Sequence, residues 1–298
     1  MGTDMSLTHL PAVYATEGQG SAPLCAGVES GIFEGYGLDV SLTMSGNAEN
    51  VVRDLMNGTA LFGTLAAPAL VRAAARGADL AFYAGGVNQH FLVGAPGVID
   101  VSTLGSDARF AGAGRGDLAD FFTEFTFLNI MSQRGRYVDV AGRDRVTALL
   151  DGRLDATPLS TPLAVQARSA GCNWLVDFAD FDLNFAVGGL AARRSFVRSN
   201  PGLTDLFLSA YVAGTKYYKA NRDFGIGVHE RYSGIDGQIA AITYDVTHAG
   251  FPDCPDPATP GLRRLVAFMR ETSALVTPIE LEDVIDSGPI SRVCLSLK

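Results

Sequence analysis

Apolar positions along the chain switch repeatedly between a two-residue and a helical period. Ser6 to Tyr14 is a short apolar run closed by the polar Thr16-Glu17-Gly18-Gln19-Gly20, and it reads as a strand. Pro23 to Glu29 reads as a helix stopped by Gly31. Leu38 to Met44 sets Leu, Val, Leu and Met against Asp, Ser and Thr, the alternation of a half-buried strand. Asn47 to Met56 is helical and ends at Asn57-Gly58. Ala60 to Gly63 predicts a brief strand, Ala66 to Arg76 an alanine-rich helix, and Asp79 to Ala84 another strand. This rhythm implies βαβ units and a mainly parallel sheet.

The middle of the chain repeats the theme. Arg109 to Ala113 predicts a strand running into Gly112-Ala113-Gly114-Arg115-Gly116, followed by a helix over Asp117 to Met131. Strands are expected at Tyr137–Val140, Arg153–Thr157 and Asn173–Phe178, with helices at Arg143–Leu150 and Ser160–Ala170. The last third is mostly helical. Asn200-Pro201 opens one helix, Thr259-Pro260 a second, and Thr277-Pro278-Ile279-Glu280 has the form of a capping box for a short helix to Asp286. No internal repeat of 20 to 50 residues is visible, which leaves one large or two medium domains.

Charge narrows the function. With 23 basic and 32 acidic residues the chain is net −9, and no run of Lys or Arg stands out. Nucleic acid is a poor partner for such a surface. No apolar run reaches the length of a bilayer span. Cys25, Cys172, Cys254 and Cys294 form no metal-ligand spacing, and buried free thiols are the expectation. Met1 to Ser6 has no basic stretch and no apolar segment of leader length follows. The chain therefore reads as cytoplasmic as it stands, or extracytoplasmic if an export signal has been removed.

Candidate chemistry falls in the polar loops after predicted strands, where α/β folds place ligands. No phosphate-binding, nucleophile-elbow or zinc-protease motif occurs, and no cofactor or metal is called for. Gly114, Arg115 and Gly116 lie between a strand and a helix, a place suited to an anion. Asn88, Gln89 and His90 follow another strand, and His90 is the histidine best placed to meet a ligand. Gln19, Ser45, Asn47, Thr64, Thr157, Ser160 and Thr161 occupy equivalent loops. Helix capping alone would explain the Ser, Thr and Asn residues. Glu17, Gln19 and Arg115 are not good caps, and a small-molecule cleft is the better joint reading. Tyr14, Phe33, Tyr83, Phe91 and Phe185 are candidates for an aromatic wall.

Four segments carry a family resemblance. Glu29-Ser30-Gly31-Ile32-Phe33-Glu34-Gly35-Tyr36-Gly37-Leu38-Asp39-Val40 resembles the entry segment of type 2 periplasmic binding proteins, in particular the sulfonate, taurine and nitrate branch, the NMT1/THI5-like group. Leu55-Met56-Asn57-Gly58-Thr59-Ala60-Leu61-Phe62-Gly63 is similar to a second family segment, with Leu61 where Asp is usual. Leu149-Leu150-Asp151-Gly152-Arg153-Leu154-Asp155-Ala156 matches its counterpart, Asp included, and Ser199-Asn200-Pro201 resembles the C-terminal return. The resemblance spans Leu7 to Asp286. It implies an α/β fold of two lobes, with mixed, mainly parallel sheets and a ligand cleft between them. Lobe I would be residues 1–94 plus 187–298, and lobe II residues 95–186.

Two functions compete under this resemblance. One is a solute-binding protein of an ABC importer, holding an anionic or aromatic organic acid and docking on a permease. The other is a cytosolic, cofactor-independent lyase, decarboxylase or dehydratase of the same fold. In it Glu17 or His90 would be the acid/base and Arg115 the carboxylate clamp. A sensory ligand-binding protein is a third option.

Overall fold

A computed structural model describes residues 7–16, 19–87, 89–112, 118–183, 185–271 and 275–297. The strands are β1 (Thr8–Tyr14), β2 (Leu38–Met44), β3 (Phe62–Ala66), β4 (Leu80–Val87), β5 (His90–Gly94), β6 (Arg109–Ala111), β7 (Arg136–Val138), β8 (Ala156–Ser160), β9 (Asn173–Asp177) and β10 (Phe185–Arg193). They form two five-stranded sheets, in the orders β2-β1-β3-β10-β4 and β7-β6-β8-β5-β9. In each sheet four strands run one way and the fourth in order, β10 or β5, is antiparallel to both neighbours. The sheets are therefore mixed, with a parallel majority of strand directions.

The two opposed strands are those that carry the chain between sheets. Only residues 88 and 89 separate β4 from β5, far too few for the crossover that a parallel neighbour in the same sheet needs. The chain passes directly into the second sheet and returns through β10. By hydrogen bonding the changes of sheet fall at 88–89 and after Phe181. The 94/95 division expected from the sequence lies at the far end of β5. Periodicity predicts neither β5 nor β10, because β5 and residues 188–192 of β10 are buried runs without alternation.

The lobes repeat one device. Helix Ala48–Asn57 ends at Gly58 (φ +77°), whose left-handed backbone suits glycine, and the Ala60 amide turns back to the Asp54 carbonyl. In the second lobe the Arg153 and Leu154 amides return to the Ala148 carbonyl after helix Arg145–Leu150. This backward pairing delays the next strand, so β3 and β8 each begin two or three residues later than their apolar patterns predict. Each strand then runs straight into a helix with proline in its first turn, Ala67–Ala74 or Thr161–Ser169. The lobes thus share an architecture that no sequence repeat announces.

Long C-terminal helices complete the packing. Pro201–Ala220 lies on the first sheet, where Phe207 stacks on Phe62 with ring centroids 3.8 Å apart. It crosses helix Ala22–Glu29 so closely that a Cβ on Gly214 would sit 2.8 Å from the Gly27 Cα. Helix Pro260–Glu271 reaches the second lobe through Phe268, whose ring is 5.2 Å from that of Phe121. Tyr14, Phe33, Tyr83 and Phe91 are buried in cores, and no cleft wall uses them.

Three further expectations need correction. Helix Leu118–Thr126 passes into a π turn over Phe127–Met131 and stops at Ser132 (φ +55°), so it is not regular to Met131. Thr277 caps no helix. Glu280 instead forms a box with Asp283 around a single 3-10 turn, and the last helix begins at Gly288. Finally, Cys254 and Cys294 are joined in a disulfide, while Cys25 and Cys172 are buried free thiols. The pairing follows from the tertiary path. The proline-rich loop before Thr259 and the segment leading into the last helix both lie along the open edge of β4, which donates from Gly85 to the Pro255 carbonyl and from Phe82 to the Val284 carbonyl.

Candidate functional site

The carboxyl ends of β1 and β3 in the first lobe face β5, β8 and helix Leu118–Thr126 of the second across a cleft. Its deep compartment has a volume of about 300 Å3, and the first lobe contributes Thr16, Ser21, Asn47 and Thr64 to it. Gly86, Gly188 and Gly189 form part of its floor. There β10 is pressed so closely between its neighbours that a Cβ on Gly188 would come within 2.1 Å of the Leu65 carbonyl oxygen. An outer compartment of about 280 Å3 contains Glu49, Arg72 and Arg145. Ala48, Ala66, His90, Leu118 and Ser160 border both compartments and form the waist between them.

Thr64 sits in the middle of β3, paired on both sides, and its backbone leaves it no choice of direction. Its hydroxyl is buried at the cleft wall with no hydrogen-bond partner. Leaving such a group unpaired costs about 1–3 kcal/mol, which a ligand hydrogen bond would offset. Asn47 lines the same compartment while capping helix Ala48–Asn57, its Oδ1 accepting from the Asn50 amide at 2.8 Å. Ser160 stands at the N-terminal end of helix Thr161–Ser169 without a side-chain capping bond and borders both compartments. His90 is buried between them, its ring stacked on Phe122 at 4.6 Å.

Other expected residues sit one layer back. Gln19 is fully buried and reaches from the first lobe into the second, its Nε2 donating to the Gln89 carbonyl at 2.9 Å and facing Thr161 Oγ1 at 3.4 Å. Thr161 donates to that same carbonyl at 3.1 Å. The Gln89 side chain donates to Asp177 Oδ2 at 2.8 Å and borders a separate cavity of about 630 Å3 with Trp174 and Arg168. Burial is the largest influence on Asp177 and raises its pKa, opposed by the Ala179 amide and Gln89. Ser45 donates to Asp54 at 2.8 Å, and Thr157 is buried in β8; neither lines the cleft. Glu17, Asn88, Gly114, Arg115 and Gly116 lie outside the described residues.

Nucleophilic chemistry gains nothing from the thiols. Cys25 is sealed under helix Pro201–Ala220, and burial pushes its pKa up to about 12, against thiolate formation. Among the described residues no group of three His, Cys, Asp or Glu could hold a metal ion. Sequence reasoning missed Glu49, Arg72 and Arg145. The one available signal was Arg72 itself, a lone cation in the apolar first two turns of helix Ala67–Ala74.

No family model and no curated protein matches the chain. Solved structures do. The ligand-binding component of an ABC-type import system from Staphylococcus aureus, with zinc bound, superposes with a TM-score of 0.79 at 12% identity, covering 96% of this chain and 99% of that one. The periplasmic aliphatic sulphonate binding protein SsuA from Escherichia coli gives 0.76 at 17% identity, covering 94% and 92%. The desulfurization enzyme DSZB gives 0.72 at 14% identity, covering 98% and 100%. At such identities the likeness establishes the fold. The chain has the two-lobed α/β architecture of these periplasmic-binding-protein-like structures, and that architecture serves binding proteins and an enzyme alike. Among the described residues no helix is long and apolar enough to cross a membrane.

Proposed function

We propose that the chain is an extracytoplasmic solute-binding protein of an ABC importer, holding a small organic acid between its lobes. The observation that carries this reading is the buried, unpartnered hydroxyl of Thr64 at a cleft walled by both lobes. Apart from His90, whose ring is stacked on Phe122, the described polar groups of the deep compartment are hydroxyls, an amide and backbone. Groups of this kind suit recognition better than proton transfer, which favours binding over the lyase alternative. Thr16, Ser21, Asn47, Thr64 and Ser160 would hydrogen-bond the ligand, with His90 stacked beside it. Gln19, Gln89 and Thr161 would tie the loops together behind it. Closure would turn the lobes about the two changes of sheet and present a joint surface to a permease. The Cys254–Cys294 disulfide supports an oxidising, extracytoplasmic setting, since such bonds rarely persist in the cytosol.

Native mass spectrometry of the purified protein tests the reading. A retained small molecule is expected, released intact on denaturation and unchanged after prolonged incubation. Ala48→Trp would fill the waist of the cleft and abolish retention. Thr64→Val would keep the strand and weaken binding about five- to tenfold, the worth of one hydrogen bond. A ligand retained equally by Ala48→Trp would place it elsewhere and refute the cleft. Its conversion to product by the wild-type protein would turn the assignment to catalysis.

A further inference from the structure

Gln89, in the crossover between β4 and β5, works in two directions. Its carbonyl accepts from Gln19 of the first lobe and Thr161 of the second, while its side chain reaches the opposite way to Asp177. Asp177 lines the separate cavity of about 630 Å3 along β9, the last strand of its sheet. A β-bulge shapes this wall. Val93 pairs with Trp174 and Leu92 with Val176, so Leu175 is one residue too many. The bulge sets Trp174 and Asp177 opposite Val93 and Phe91, on one face and about 7 Å apart along the strand. Regular alternation would send them to opposite faces. The Trp174 ring stacks on Phe91 at 4.2 Å and carries the Arg168 guanidinium at 4.6 Å, which steadies that cation at the cavity. Asp177 is half-buried and accepts from two neutral donors, the Gln89 side chain and the Ala179 amide. Among the described residues no cation pairs with it, and the one charge bearing on it, Asp180, has the same sign. Ile99, Leu175, Val176 and Val246 supply the apolar part of the wall.

We propose that this cavity is a second ligand site, outside the cleft, for a small amphoteric molecule that sets an ammonium group on Asp177, a carboxylate on Arg168 and its hydrocarbon against the apolar wall. A half-buried carboxylate without a cation gains from an ammonium that replaces its lost solvation, and a guanidinium fork matches a carboxylate bidentately. Opposite charges held a fixed distance apart select for chain length, which a single ion pair would not. The site is also placed to act on the cleft. Gln89 lies at the change of sheet about which the lobes would turn. Val246 comes from the C-terminal helix Gly237–Thr247 and packs on the second lobe's core. An occupant that holds Asp177 thereby holds Gln89 and the donors gathered on its carbonyl, so occupancy and lobe closure are linked. This linkage, unlike the site itself, rests on the cleft reading above.

Calorimetric titration with ω-amino acids of increasing chain length, each against the alkylamine and the alkanoate of the same length, tests the site. One length should bind about tenfold tighter than either, the worth of a second charge-assisted contact. Asp177→Asn and Arg168→Gln should each erase that preference, and Ala48→Trp, which fills the cleft, should leave it intact. No preference for any ω-amino acid, a preference that survives in either charge variant, or its loss in Ala48→Trp overturns the site. The linkage is read by hydrogen exchange at the Thr161 amide, which donates to the Gln89 carbonyl at 3.2 Å. At saturating amino acid this exchange should slow severalfold in wild type and not in Gln89→Met. An unchanged rate in wild type, or equal slowing in Gln89→Met, refutes the linkage through Gln89. Retention of a cleft ligand by Ala48→Trp would refute the cleft reading and leave the titrations of this site standing.

Discussion

Removing the disulfide should destabilise the protein measurably, and its size can be worked from the chain. Cys254 and Cys294 are separated by 40 residues. Closing a loop of that length in the unfolded chain removes about 13 cal/mol/K of entropy, or about 4 kcal/mol at room temperature. At the usual unfolding entropy of about 2 cal/mol/K per residue, the loss corresponds to a fall in Tm of about 6 °C. The bond also holds the loop that accepts from Gly85 and carries Asp256, whose Oδ1 accepts from Ser287 Oγ at 2.6 Å. Both are part of the cover over the β4 edge, next to the cleft floor at Gly86. The assay is differential scanning calorimetry of wild type and the Cys254→Ala/Cys294→Ala variant, with and without reductant. Wild type should fall to the variant's Tm on reduction, and the variant should not respond. Under denaturing, non-reducing conditions only Cys25 and Cys172 should alkylate. Alkylation of all four cysteines, in protein recovered from an oxidising compartment, would refute the pairing and the localisation argued from it.

Two further outcomes are expected. His229 is buried against the Tyr218 hydroxyl at 2.8 Å, and burial lowers its pKa from 6.5 to about 4. Between those values the unfolded chain takes up a proton that the folded chain refuses. Stability should therefore fall by up to about 3 kcal/mol as pH drops from about 6.5 to 4, and be fully present above 6.5. Urea unfolding at stepped pH should show that slope in wild type and a flatter one in His229→Gln; equal slopes would sink the assignment. Gln19→Ala should cost about 2 kcal/mol, because it empties a buried site and takes a donor from the Gln89 carbonyl between the lobes. Small-angle scattering should show a more open ligand-free form. An unchanged profile together with unchanged stability would mean that Gln19 does not tie the lobes.

Much of the scaffold was legible because local rules carry it. Leu38–Met44 alternates, and it is a strand over those same residues with β1 beside it. Asn47 and Gly58 bracket a helix because one side chain caps its first turn and one glycine accepts the left-handed exit. The polar loops after β1, β3 and β8 do converge on one cleft, since parallel strands bring their carboxyl ends to one edge. The C-terminal box at Thr277 failed because Glu280 pairs with Arg270 and boxes with Asp283 around a 3-10 turn, and the chain beyond it is drawn to β4 at Ile285 instead of continuing as a helix.

What the sequence alone determined, then, is the series of short-range choices: strand or helix, cap or turn, an acidic surface, and polar loops at strand ends. Only the tertiary structure decided which distant groups meet. It set β5 and β10 as the crossing strands, joined Cys254 to Cys294, and buried Gln19 between lobes. It left the Thr64 hydroxyl unpaired at the cleft, and it brought Arg72 and Arg145 to one cavity from opposite sides. The reason is physical. Caps and periodicities are read within one or two turns of chain, whereas the value of a buried hydroxyl, thiol or guanidinium depends on the neighbour that folding supplies.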